Sequence, residues 1–227
     1  YALPAGRWGQ RMGDMKAQDM MVGALHDPFH RIHMGVTAEN VANQFGISRQ
    51  TQDEAAVESH RRAIHAIREG RFKSQIVPIE IPGRKGPTIF DTDEHARDDV
   101  TLEGLAKLKT VFAKEGGSVT AGNASGINDG AAALVLMEAS AAAKAGRKPM
   151  ARLVAYAHAG VDPKIMGIGP VPATRKALEK AGLTLEQMDV IEANEAFAAQ
   201  ACAVAKELGM NPAKLNPNGS GISLGHP

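Results

Sequence analysis

The sequence predicts an α/β fold, and three observations carry that prediction. From Ala151 onward, short apolar runs of strand length alternate with segments of helix length. Aromatic residues are only 4% of a chain that is 44% hydrophobic, so Ala, Val, Ile, Leu and Met must fill the core. A surplus of Ala, together with 24 Gly, favours close packing of helices on a sheet.

In chain order, the first firm element is a long helix from Arg49 to Glu69. Ser48 supplies its N-cap and Gly70 ends it. Asp53, Glu54, Glu58, Arg61, Arg62 and Arg68 are expected on one solvated face, with Ala55, Ala56, Ala63, Ile64 and Ile67 on the packed one. The basic cluster from Arg61 to Lys73 therefore reads as a wet helix face. Gln75 to Ile81 reads as a strand, Gly83 to Gly86 as a turn and Thr88 to Phe90 as a returning strand. Thr101 can cap a short helix to Lys109. Thr120 to Gly126 is a glycine-rich loop, and it feeds Asp129 to Met137, expected as a helix followed by a buried strand. A second unit begins at Ala151. It comprises a strand from Arg152 to Ala157, a Gly/Pro loop through Val171 and a helix from Thr174 to Ala181 closed by Gly182. A strand from Asp189 to Glu192 and a helix from Glu195 to Leu208 follow. The first half is less regular and reads as an excursion or cap, with a boundary between Gly126 and Arg147.

Composition excludes several function classes. The length of 227 residues suits one or two domains, and the formal net charge of +1 gives no electrostatic case for nucleic acid or a charged membrane. No apolar run approaches the roughly 20 residues of a membrane span, and residues 1–13 lack a signal pattern. The single cysteine, Cys202, permits no internal disulfide and fits a reducing compartment such as the cytoplasm. A start at Tyr1 and a stop at Pro227, directly after a Gly-rich run, predict an internal piece of a longer protein.

Several residues invite chemical readings. Asn194 sits where the predicted 189–192 strand meets the next helix, the sheet edge at which α/β proteins place ligands. Its amide either caps that helix or holds a substrate or a water. His226 lies in a glycine-dense loop that gives an imidazole steric access to a ligand, where it can act as base, acid or donor. A lone loop histidine is otherwise incidental. Ser125, within Gly122-Asn123-Ala124-Ser125-Gly126, could set a hydroxyl beside an extended ligand. That loop lacks the lysine of a phosphate-binding loop, and nothing matches the dinucleotide fingerprint of a nicotinamide oxidoreductase. His26, His30 and His33 have a spacing that invites zinc, but Pro28 disrupts a helix there, and no metal is expected. Cys202 falls among Ala199, Ala201, Ala203 and Val204 with no cationic neighbour, which reads as a small core residue.

Four motifs, in this order and spacing, resemble the thiolase family across essentially the whole chain. They are His33-Met34-Gly35 with Thr37-Ala38-Glu39-Asn40, Thr120 to Asp129, Asn194-Glu195-Ala196-Phe197, and Gly225-His226-Pro227. The resemblance implies two stacked α/β halves in five layers with an inserted loop domain, incomplete in this chain. Residues 1–126 would be the loop domain that cradles coenzyme A, 127–150 the end of the first half, and 151–227 part of the second. It implies an acyltransferase that condenses two acyl-CoA molecules or thiolytically cleaves a β-ketoacyl-CoA. No cofactor would be permanently bound; CoA and its thioesters are the partners, and a homotetramer follows by analogy.

Residue by residue, the resemblance makes His226 the histidine that activates a nucleophilic cysteine and donates to the thioester oxygen. Asn194 would hold a water that completes an oxyanion hole. Ser125 lies beside pantetheine. Leu25, Met34, Phe112, Met166 and Phe197 match residues lining the pantetheine and acyl tunnel, and Arg97 one near the nucleotide. His33 resembles the histidine of short-chain, biosynthetic members, pointing to an acetyl-CoA acetyltransferase or short-chain β-ketothiolase. The alternatives are a degradative 3-ketoacyl-CoA thiolase and a non-catalytic CoA-binding protein. Ser220 departs from a position commonly glycine. The larger departure is that the family's nucleophilic cysteine and its acid/base cysteine match no residue here.

Overall fold

The computed structural model describes all residues, Tyr1–Pro227. Helices dominate. The short α1 (Met20–Ala24) precedes α2 (Met34–Phe45) and α3 (Arg49–Arg68). A hairpin pairs β1 (Ile79–Ile81) antiparallel with β2 (Thr88–Phe90), Ile79 facing Phe90 and Ile81 facing Thr88. Next come α4 (Leu102–Ala106), α5 (Ala139–Lys144), α6 (Pro170–Ala181), α7 (Ala198–Leu208) and the single turn α8 (Gly221–Leu224). Three 3-10 turns, at Pro4–Trp8, Pro163–Ile168 and Leu185–Gln187, complete the order.

Each long helix is set by its ends. The Ser48 hydroxyl accepts the Thr51 N–H at 3.1 Å and starts α3. At the other ends, Gly46, Gly182 and Gly209 close α2, α6 and α7 in the left-handed conformation. The core forms where α2 and α7 cross. Ala38, Val41, Ala42 and Ile47 pack with Val119, Ile168, Val171, Ala199, Ala203 and Val204. Fully buried valines such as Val41 and Val204 contribute roughly 1.5–3 kcal/mol each relative to exposure. A smaller cluster of Ala56, Leu105, Ala198 and Ile222 joins α3 to α4, α7 and α8.

All the expected helices but the one at the start of Asp129 to Met137 are present within a few residues of their bounds, whereas several expected strands are not. Asp129 to Met137 forms neither helix nor strand, and Leu134, Val135 and Leu136 are 87%, 92% and 81% exposed. Arg152 to Ala157 forms no ladder either. A helix closes its own backbone hydrogen bonds, whereas a strand exists only through a neighbour. No backbone hydrogen bond joins either segment to another. Of Asp189 to Glu192, only Ile191 pairs, in an isolated parallel bridge with Leu215.

The charged face expected of α3 is also corrected. Asp53 is buried, 4% exposed, and accepts from Asn123 Nδ2 and Arg49 Nε at 2.8 Å each. Arg62 points inward, donating to the carbonyls of Leu215, Asn216 and Pro212, while Arg71 donates to Asn218 Oδ1 at 2.9 Å. The basic cluster is therefore partly a clamp on the loop 212–218, because guanidinium groups are long enough to reach its carbonyls.

Candidate active site

A cavity of about 1270 Å³ opens between the N-terminal turn of α2, the loop 120–128, α6, α7 and the chain end. Of its 39 lining residues 25 are hydrophobic, so it suits a largely apolar ligand oriented by few polar groups. Leu25, His33, Met34, Phe112, Ser125, Met166, Asn194, Phe197 and His226 all line it.

His33 caps α2, its Nδ1 accepting the Gly35 N–H at 3.0 Å. The proton of the neutral ring therefore sits on Nε2, leaving that N–H to donate. Burial, aided by neighbouring His26, holds the His33 pKa below its usual value and favours this neutral form. The ring stacks on Phe112 at 4.7 Å, and Phe112 meets Phe197 edge-on at 6.2 Å. Gly35 is required here, since a Cβ would lie 2.1 Å from the Phe112 ring.

The loop 120–126 is organised from inside by Asn123. Its Oδ1 accepts the Thr120 N–H at 2.8 Å and its Nδ2 donates to Asp53 and Ser118. Glu39 on α2 secures the preceding turn, accepting the N–H of both Ser118 and Val119. The loop then pairs with the lead-in to α7. Asn123 O accepts the Ala198 N–H at 2.9 Å, and Ser125 donates its N–H and its hydroxyl to Ala196 O at 3.0 and 2.9 Å. The Ser125 hydroxyl is thus tied to backbone beside the cavity.

Asn194 does not cap the following helix, which begins at Ala198, three residues later than expected. Gln200 does that work, accepting the Phe197 N–H and donating to Asn194 O. Behind Asn194, the Asn216 side chain pairs with both backbone groups of Ala193, at 2.8 Å each, and donates to Glu195 Oε1. Ser59 on α3 donates to Glu195 Oε2 at 2.5 Å and lies 2.8 Å from the Ser223 hydroxyl. Gly221 packs so closely that a Cβ would meet Asn194 Oδ1 at 2.6 Å. His226 follows Gly225 at φ +99°, and its backbone N–H donates to Asn128 Oδ1 at 3.1 Å.

Arg97 stands apart. It is outside the cavity, forks onto Asp99 at 3.0 Å, and gives its N–H to the ring of His60. Cys202 is outside as well, with its sulfur 4.0 Å from Thr51 O and its thiol pushed up to about 11 by burial. No three His, Cys, Asp or Glu side chains gather as metal ligands; His26 and His33 approach as rings, edge to face at 5.2 Å. Sequence reasoning missed Asn128, Asn216, Glu195 and Arg62. Asn128 and Asn216 look like ordinary turn residues, and all four act across long sequence separations that no local signal marks.

The chain matches the model of the thiolase N-terminal domain over residues 1–140 and that of the thiolase C-terminal domain over 147–227. A β-ketothiolase, BktB, of Cupriavidus necator is 69% identical over all 227 residues, and an acetyl-CoA acetyltransferase of Pseudomonas aeruginosa is 56% identical over the whole chain. The chain spans 58% of the length of each. Among solved structures, the acetyl-CoA acetyltransferase of Bacillus anthracis superposes with a TM-score of 0.90 at 55% identity, all of this chain against 57% of that one. Human mitochondrial 3-ketoacyl-CoA thiolase in complex with CoA gives 0.89 at 45%, covering 56% of that chain.

Proposed function

The chain belongs to the thiolase family, and from that premise we propose that the protein containing it is a short-chain acyltransferase working on coenzyme A thioesters. In condensation, a thiolate attacks an acyl-CoA carbonyl and CoA leaves with a proton. That proton comes from a second thiol; the thiolate so formed removes an α proton from acetyl-CoA, and the resulting enolate attacks the acyl-enzyme, releasing the first thiolate. Thiolysis is the reverse. Neither thiol corresponds to a residue of this chain; its share is the cradle and the donors.

His226 is proposed to assist the nucleophilic thiol and donate to the thioester oxygen. Asn194 holds the water that completes the oxyanion hole, where a donor fixed in advance contributes a few kcal/mol. His33 Nε2–H and the Ser125 segment face pantetheine, with Leu25, Met34, Phe112, Met166 and Phe197 as the apolar walls. An exposed Arg97 is left for the nucleotide end, outside the cavity. The observation that supports this reading most is that nine of the ten residues named from the family resemblance line one cavity. We further propose residues 1–126 as the CoA cradle, 127–150 as the end of the first half and 151–227 as part of the second. By family analogy the assembly is a homotetramer in the cytoplasm; no helix here is long and apolar enough to cross a membrane.

In the intact protein, His226→Ala is expected to lower acetoacetyl-CoA thiolysis by roughly 100-fold or more. A variant within about threefold of wild type sinks the assignment. The likeness to a 3-ketoacyl-CoA thiolase keeps a degradative preference as the second reading, and kcat/KM across acyl lengths decides between them. A maximum at four carbons supports the short-chain reading that His33 favours.

A further inference from the structure

His226 enters the cavity on a backbone held from both sides. Upstream, the Gly225 N–H bonds Gly221 O at 3.1 Å, which anchors the loop to α8. Downstream, the anchor is one side chain, Asn128, whose Oδ1 accepts the His226 N–H at 3.1 Å. The same side chain fills the space over Gly225. A Cβ there would lie 2.8 Å from Asn128 Cγ and 2.9 Å from its Oδ1 and Nδ2. Ile127 bridges to His226 in parallel. On its far side, Asn128 Nδ2 is 3.5 Å from His95 Nδ1, so His95 backs the amide.

Gly225 has no side chain to hinder rotation, and its φ of +99° lies where L residues rarely rest. Freed from Asn128, the peptide between Gly225 and His226 keeps only the isolated bridge to Ile127 and the Gly225 N–H bond to Gly221 O, and no side chain holds it. The imidazole, carried through Cβ on the Cα that ends that peptide, would then drift, and a misplacement near 1 Å at a reacting centre can cost about 100-fold in rate. We infer that Asn128, although it lines the same cavity, is a positioning residue that sets where the His226 imidazole stands rather than a contact to the CoA thioester. The inference rests on the reading of His226 as a catalytic group.

The test uses the intact protein with Asn128→Ala, Asn128→Asp and His226→Ala, measuring thiolysis of acetoacetyl-CoA. Asn128→Ala is expected to lower kcat about 30-fold, with KM for CoA kept within about threefold. Aspartate keeps an acceptor for the His226 N–H and can accept from His95 Nδ1, so Asn128→Asp should recover to within about fivefold of wild type. His226→Ala separates the two readings. If it leaves activity intact, the proposed function fails first. If it abolishes activity while Asn128→Ala keeps wild-type kcat, only the positioning role fails. A large rise in KM at unchanged kcat also overturns it, by making Asn128 a ligand contact. Should Asn128→Ala not fold, Asn128→Asp decides alone: near-wild-type kcat supports the role, and a loss as deep as that of His226→Ala refutes it.

Discussion

Behind the cavity, burial acts on two side chains in ways that can be measured. It pushes the Cys202 thiol up to about 11, with the charges of Glu195 and Glu54 adding to the effect. A thiol so protonated is a poor nucleophile at neutral pH. Cys202→Ala should therefore keep full activity in the intact protein and change stability by about 1 kcal/mol, as read from urea unfolding. Loss of acyl-enzyme in that variant, with the fold intact, would refute this. Glu195 is raised above its usual value of 4.5 by burial, against the opposing donors Ser59, Asn216 and the Ile222 N–H. Above 4.5 the unfolded chain has released this proton while the folded one still holds it. Each step up in pH through that window therefore favours unfolding. As the pH rises from 4.5 through the raised pKa of the folded state, wild type should lose stability relative to Glu195→Gln, which has no proton to release. Parallel urea midpoints for the two proteins across that range count against the assignment.

At the scale of elements, the telling contact is α3 against the loop 212–218. Arg62 reaches three of its carbonyls, whereas Arg61 pairs only with Glu58 at the surface. Arg62→Ala leaves the partly buried Leu215 carbonyl without a donor and takes one of two from that of Asn216, and should cost about 1–3 kcal/mol. Arg61→Ala should stay within about 0.5 kcal/mol of wild type. Equal effects in urea titrations would show the clamp to be unimportant. Neighbouring arginines on one helix also show what the sequence could reveal. Ser48, Gly70 and Gly182 mark helix ends through local chemistry, and those ends were legible. Leu134 to Met137 and Arg152 to Ala157 carry strand-like composition, but a ladder depends on a second segment, which composition does not specify. Part of the candidate cavity's lining was legible through motifs, since His33, Asn194 and His226 all line it. Its supports were not, because Asn128 and Asn216 hold their partners 98 and 23 residues away.

For the molecule as a whole, the exposed apolar segments have a practical outcome. Leu153, Val154 and Tyr156 are 67%, 57% and 64% exposed, in addition to the run at 134–136. Surface of that kind is sticky, at about 25 cal/mol for each Å² left wet. Residues 1–227 expressed alone should scatter light, bind a hydrophobic dye and show no thiolysis of acetoacetyl-CoA, since the one thiol lies outside the cavity. Turnover above the buffer rate, proportional to protein and free of host enzyme, overturns that expectation. The bond between Ser59 and Ser223 spans 164 residues. At a ribosome's roughly 5–20 residues per second, that separation is a wait of about 10–30 s. Throughout it, α3 has been synthesised and its partners 212–223 have not. The face it must keep uncovered carries Ala56, Ser59, Ala63 and Ala66 rather than leucines. A newborn helix with so mild a flank offers passing chains little to grip, so it can idle safely until residues 212–223 arrive.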